Sequence, residues 1–215
     1  MPRRKKILNI LYLGLELPTH PENEHWVHHP LIKVLPRSGE SCSYEIFHTH
    51  SQNYTHIIFT SKTAVKLLSK HLNPENVDAA ILAVGASTAE EAIKLGWPTP
   101  LSPRNETAEG LVDLLNTLDL TNAFVLWPHS ALSRPILYDY FQEKGISLHH
   151  PVLYDTITKT PDVLLDLQQF DAVFFTSPST VDAFFEVYGR PPSHLELRSI
   201  GTVTETYLQS RLAKF

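Results

Sequence analysis

The chain has 215 residues, 42% of them apolar and 19% charged, enough for one large or two small globular domains with a buried core. A formal net charge of −5 offers no dominant basic face to neutralise phosphates, which argues against a nucleic-acid binder. The one cysteine, Cys42, excludes an internal disulfide framework, and no run approaches the roughly 18 apolar residues of a membrane span, so a cytoplasmic protein is expected.

Residues 3–6 are basic and precede an apolar run, which imitates a secretory leader. Asn9 and Glu16 interrupt the run and no small-residue cleavage site follows, so 7–13 reads as a first buried strand. Residues 18–30, rich in proline and histidine, read as irregular, and 31–35, between Pro30 and Pro36, as an extended connector. A strand over 56–60 leads into a helix over 62–72 with Val65, Leu68 and Leu72 on one face. A strand over 80–84 leads into a helix over 88–95 that Gly96 ends. After a turn at 97–100 come a helix over 108–118, a strand over 123–127 and a helix over 134–144 closed by Gly145. Residues 147–156 are extended but broken at Pro151. A strand over 172–176, a helix over 179–188, a strand over 197–200 and a helix over 205–212 follow. Strand and helix alternate throughout, which predicts an α/β fold of parallel sheets with helices on their faces.

An internal duplication underlies this order. Phe59-Thr60-Ser61-Lys62-Thr63-Ala64-Val65 returns 116 positions later as Phe175-Thr176-Ser177-Pro178-Ser179-Thr180-Val181. Ala83-Val84-Gly85-Ala86-Ser87-Thr88 returns at the same offset as Ser199-Ile200-Gly201-Thr202-Val203-Thr204. Each copy runs an apolar strand into a Ser/Thr turn that opens a helix, and a cleft between two such copies is the natural place for a ligand.

Ser61 and Ser177 stand where a hydroxyl caps a helix, and Pro178 suits a first helical position. Ser87 with Glu90 and Thr202 with Glu205 have the spacing of capping boxes. These residues serve either as caps alone or as caps whose neighbouring free N–H groups also bind anions. Arg134 is either a surface cation or a partner for a carboxylate. Tyr154 is either a core aromatic with a wet hydroxyl or a hydrogen-bond donor and weak acid over the cleft. The twelve histidines, among them His25, His28, His29, His48, His50, His149 and His150, lack metal-ligand spacing and read as solvated loop residues. No Gly-rich phosphate loop, dinucleotide fingerprint or Gly-x-Ser-x-Gly elbow is present.

Residues 57–65, Ala83-Val84-Gly85 with Thr88-Ala89, Glu109-Gly110-Leu111, 126–134 with the helix to Gly145, Val152-Leu153-Tyr154-Asp155-Thr156, 174–181, and Ile200-Gly201 with Thr204 together resemble the uroporphyrinogen-III synthase family. The resemblance implies two α/β domains with parallel sheets, joined by a two-stranded antiparallel ribbon. Residues 31–37 and 150–157 would form the ribbon, 38–149 an inserted domain, and 1–30 with 158–215 a discontinuous domain reduced relative to the family. Two departures mark that domain. The stretch after the first strand is compressed into 18–30 with no basic residue in Gly14-Leu15-Glu16, and after Gly201 the chain runs through one helix to Phe215.

The resemblance also implies a cofactor-free reaction with no metal. Hydroxymethylbilane loses water to give an azafulvene cation, and ring D attacks through a spiro intermediate, inverts and closes to uroporphyrinogen III. Carried over position by position, Tyr154 would assist loss of the hydroxyl, and Ser61, Lys62, Thr88, Arg134, Ser177 and Thr204 would bind substrate. The expected partners are this small molecule and hydroxymethylbilane synthase by transient hand-over, with a monomeric chain, no nucleic acid and no membrane. The alternatives are a degenerate relative that binds a tetrapyrrole without turnover, and an unrelated phosphosugar-binding module.

Overall fold

A computed structural model describes residues 7–37 and 50–214. The basic lead at 3–6, Cys42 and His48 lie outside the described residues. The chain divides into two compact units, Leu35–Asp155 and Met1–Val34 with Thr156–Phe215.

In the first unit, strands β4 (His56–Phe59), β5 (Ala80–Ala83), β6 (Phe124–Leu126) and β8 (Ser147–His149) form a parallel sheet in the order β5-β4-β6-β8. Strand β4 is apolar on both sides because both faces are covered. Ile58 and Leu82 face one core with Leu111, Leu115, Leu137 and Phe141, which come from helices α3 (Ala108–Leu115) and α4 (Ile136–Lys144). On the opposite face Ile57 and Phe59 are fully buried, and Phe59 meets Trp97 edge-on with ring centres 5.3 Å apart. Trp97 follows helix α2 (Ala86–Lys94) and donates its indole N–H to Ser69 at the end of α1 (Lys62–Leu68), tying that pair of helices together. Helix α4 ends on Gly145 at φ 64°, a left-handed position that only glycine takes without strain.

The second unit holds strands β1 (Leu8–Tyr12), β2 (Glu24–His28), β10 (Ala172–Phe175) and β11 (Glu196–Ser199), all parallel, in the order β11-β10-β1-β2. Helices α5 (Pro178–Tyr188) and α6 (Thr202–Leu212) place Val181, Phe184, Phe185 and Leu208 against Leu11, Leu13, Val173 and Phe175 on one face. The alternate side chains of the strands point the other way. There Trp26 stacks on Tyr12 at 5.1 Å and on His20 at 5.3 Å.

Strand β2 corrects the expectation of an irregular 18–30. It is an edge strand whose one neighbour is β1, so its sequence, Glu-His-Trp-Val-His, needs no continuous apolar run. What separates β1 from β2 is a helix-free link, held by His28 bonding the Gly14 carbonyl at 2.8 Å.

The two units are joined by β3 (Ile32–Pro36) and β9 (Val152–Thr158). Arg37 N–H donates to Leu153 O at 2.8 Å and Lys159 N–H to Leu31 O at 2.7 Å, so the register reverses and the strands are antiparallel. The Arg37 guanidinium grips Asp155 through two bonds of 2.8 Å each. The ribbon is wider than expected: β7 (His129–Ser130), in a stretch read as loop, pairs parallel with β9.

Candidate active site

The helix starts behave in two ways. Ser61 and Ser177 are true N-caps. Ser61 Oγ accepts from Ala64 N–H at 3.0 Å, and Ser177 forms a capping box with Thr180. They open α1 and α5, one in each unit. The capping boxes expected at Ser87–Glu90 and Thr202–Glu205 are absent. Helices α2 and α6 begin earlier, with Gly85 and Gly201 as extended N-caps, so Ser87 and Thr202 already lie inside the helices. Thr88, Thr180 and Thr204 each take the third helical position and are at most 4% exposed.

One helix start is already occupied by the chain itself. Glu106 accepts the Ala86 N–H at 2.9 Å, so an internal carboxylate sits at the positive end of α2. At Gly201 nothing lies within 4 Å of where a side chain would start.

Tyr154 and Ser61 are brought together. The phenol oxygen lies 2.8 Å from Ser61 Oγ, across 93 positions of sequence. The hydroxyls of Thr63 and Ser130 act on the phenol as well, each favouring its ionised form. Tyr154 is 6% exposed, and burial holds its pKa above the usual 10, against the opposing pull of these three hydroxyls. The phenol is therefore neutral throughout the physiological range and able to donate one hydrogen bond. Lys62, the first residue of α1, is half-buried beside this cluster's cap.

Arg134 does not begin a helix as expected but precedes α4, with Pro135 as its first flank. Both guanidinium branches bond Glu109 of α3, the second at 2.9 Å, and Arg134 holds the Glu109 carboxyl below the ordinary carboxylate range. The pair is exposed, and such surface pairs contribute only about 0–1 kcal/mol, so another carboxylate can displace Glu109 at little cost.

The solvated-loop reading of the histidines fails at several positions. His149 bonds the Tyr54 hydroxyl at 2.6 Å, His29 the Tyr188 hydroxyl at 2.9 Å, and His129 stacks on Trp127 with ring centres 4.2 Å apart. Among the described residues no cluster of three His, Cys, Asp or Glu could hold a metal, and no helix is long and apolar enough to cross a membrane. An open depression of about 500 Å³ lies between Leu120–Phe124 and Lys144–Ser147, at the amino ends of β6 and β8. Ligands of parallel α/β sheets bind at the opposite, carboxyl edge, where the hydroxyls described above are.

Thr63, Ser130, Glu106 and His129 went unrecognised in the sequence. Thr63 had a signal, since it shares the first turn of α1 with the cap Ser61. Ser130 had none, because its pairing with Tyr154 depends on a two-residue strand with an irregular register.

Two parallel α/β units connected by an antiparallel ribbon, with hydroxyl-capped helices at the strands' carboxyl ends and a phenol held on one cap, define a two-unit α/β protein whose strand-end loops are placed to handle a ligand. The family model described as uroporphyrinogen-III synthase HemD matches residues 24–213, and the chain belongs to that family of enzymes. A Methanothermobacter thermautotrophicus protein that bears the synthase name provisionally is 29% identical over 167 residues, 69% of this chain and 66% of its own length. The uroporphyrinogen-III synthase of Chlorobaculum parvum is 25% identical over 198 residues, 84% of this chain and 77% of its own. In fold, the chain resembles a uroporphyrinogen III synthase from Thermus thermophilus, with TM-score 0.63 and 16% identity over 94% of this chain and 88% of that one. It likewise resembles the synthetase of Helicobacter pylori, with TM-score 0.62 and 18% identity over 95% and 89%. These matches do not favour the phosphosugar-module alternative.

Proposed function

We propose that this chain is a uroporphyrinogen-III synthase, a cyclising carbon–oxygen lyase that converts hydroxymethylbilane to uroporphyrinogen III with loss of water. The family match over residues 24–213 carries this reading. The reaction begins when the hydroxymethyl C–O bond breaks and the hydroxyl leaves as water with one added proton. The azafulvene cation left behind is attacked by ring D, which inverts through a spiro intermediate before the macrocycle closes.

Tyr154 serves as a neutral donor to the departing hydroxyl, and the Ser61 contact supports this by fixing the phenol at 2.8 Å on the positive end of α1. Ser177, Thr204 and Lys62 contribute at helix starts to holding the substrate's carboxylates, with Arg134 once Glu109 is displaced. Thr88, at the third position of α2, contributes to substrate binding in the same way. Most of the catalytic gain is conformational, since folding the flexible chain must outpace spontaneous closure to the type I isomer. The enzyme acts without metal or cofactor, as a cytoplasmic monomer receiving substrate from hydroxymethylbilane synthase. An inserted domain (38–149) and a discontinuous domain (1–30 with 158–215) are part of this reading, and the division into Leu35–Asp155 and Met1–Val34 with Thr156–Phe215 supports it.

Incubation with freshly made hydroxymethylbilane, oxidation and chromatographic separation of the uroporphyrin isomers tests the reading. An excess of type III over a protein-free control is expected. Type I alone, at the control rate, would overturn it and leave the binding-only alternative.

A further inference from the structure

His129 sits in a setting that the synthase reading does not use. Its ring is sandwiched between Trp127, at 4.2 Å and 19°, and His150, at 5.8 Å and 17°. Both ring nitrogens face backbone carbonyls: Nδ1 lies 2.8 Å from Ser130 O and Nε2 lies 3.1 Å from His150 O. A neutral imidazole has one N–H, so it can bond only one of these oxygens and turns a lone pair on the other. An imidazolium donates to both, and a flat aromatic face such as Trp127 also favours the cation.

The two carbonyls belong to segments that set the phenol's surroundings. Ser130 is the residue of β7 that pairs with Tyr154 across the ribbon, and its hydroxyl acts on the phenol's proton. His150 lies in the turn that delivers β9, the strand bearing Tyr154. Strand β7 is only two residues long and its register slips between His129 and Ser130, so backbone pairing alone holds it weakly.

We propose that His129 is a positioning residue for Tyr154: as the imidazolium it ties Ser130 O to His150 O, locking β7 onto the β8–β9 turn and so fixing the Ser130–Tyr154 pairing. The inference rests on the synthase reading for its catalytic consequence, and on geometry alone for the clamp. The groups around the ring set when it closes. Burial lowers His129 below the ordinary imidazole pKa of 6.5, the two carbonyls oppose this, and electrostatic repulsion from His150 and Arg37 adds to the lowering. His150 is met edge-on by Tyr138 of α4 at 5.0 Å, His149 is engaged by Tyr54, and Asp155 of β9 is engaged by Arg37. Near neutral pH one arm is therefore open, and the shorter Nδ1 arm to Ser130 is the one retained. The second arm closes as pH falls below 6.5.

Two measurements test the clamp. The first is ring-labelled NMR of the wild-type protein. It should show neutral His129 as the Nδ1–H tautomer, with a single protonation step below pH 6.5 that the labelled Tyr154 ring also reports. A Tyr154 signal that ignores the His129 step would overturn the proposal, whether or not the protein makes uroporphyrinogen III. The second is the pH profile of type III formation. Glutamine at this position keeps one donor and one acceptor but never titrates. The wild-type to His129→Gln ratio of kcat should rise about threefold or more as pH falls through the step, with KM unchanged. A constant ratio, or a loss confined to KM, would show that His129 has only a structural role. If wild type gives only the type I isomer, the synthase reading fails while the NMR result still decides the clamp.

Discussion

At the scale of single residues, the phenol of Tyr154 is surrounded by groups that define its proton. Ser61 Oγ already accepts from Ala64 N–H, so it keeps one lone pair and one hydrogen for Tyr154. In the role proposed for it, Tyr154 with its raised pKa would assist as a hydrogen-bond donor rather than by full proton release, a gain at the low end of general-acid effects. Tyr154→Phe should slow type III formation about 10²-fold with the fold intact, measured by isomer analysis beside circular dichroism. Ser61→Ala should slow it less while also losing the α1 cap, worth about 1 kcal/mol in thermal unfolding. A Tyr154→Phe enzyme as fast as wild type would remove the phenol from the chemistry. The pH sign follows from the raised pKa. The phenol's contribution to stability is complete below pH 10 and is lost only as pH rises through the higher folded-state value. Arg134 and Glu109 teach the converse lesson. The arginine's need for a carboxylate was legible, but the chain supplies that carboxylate itself from α3, which no local pattern announces.

At the scale of elements, the duplication was the most legible feature, and the structure shows why it left a difference. All four repeat N-caps have the same extended backbone, with φ of −160° at Ser61, −171° at Gly85, −167° at Ser177 and −174° at Gly201. Their surroundings differ, because Glu106 fills the space at Gly85 while Gly201 is open. Gly201→Ser should therefore stabilise by roughly 0.5–1 kcal/mol, through a new cap and a less flexible unfolded chain. Gly85→Ser should destabilise, since its side chain displaces Glu106 from Ala86 N–H. Thermal unfolding of the two variants checks this, and equal shifts would contradict it. The strands buried on both faces, such as His56–Phe59, announce themselves as apolar runs, and helices closed by Gly96 and Gly145 announce their ends. Strands β2 and β7 do not. One is a half-exposed edge and the other two residues long, and each is held by a distant partner rather than by its own sequence.

At the scale of the whole molecule, charge gives a prediction that separates two ways of holding a polycarboxylate. The chain carries a formal net charge of −5, the same sign as the proposed substrate, so the two repel at long range. The groups proposed to hold the carboxylates are mostly hydroxyls at helix starts and the backbone N–H groups there that the caps leave over, the Ala64 and Thr180 N–H groups being taken by Ser61 and Ser177. Those groups act within one helical turn and are little affected by ions once the substrate is seated. The long-range repulsion is different, because the Debye length shrinks from about 30 Å at 0.01 M salt to about 8 Å at 0.15 M. Raising salt over that range near neutral pH should therefore increase kcat/KM for hydroxymethylbilane modestly, by roughly two- to threefold, with kcat almost unchanged. A cleft that gripped its substrate through a concentration of arginine and lysine would respond in the opposite sense, losing affinity as salt rises. A steep fall in kcat/KM with salt would mean that Lys62 and Arg134, with further cations, dominate binding, and the assignment to neutral donors would have to be abandoned.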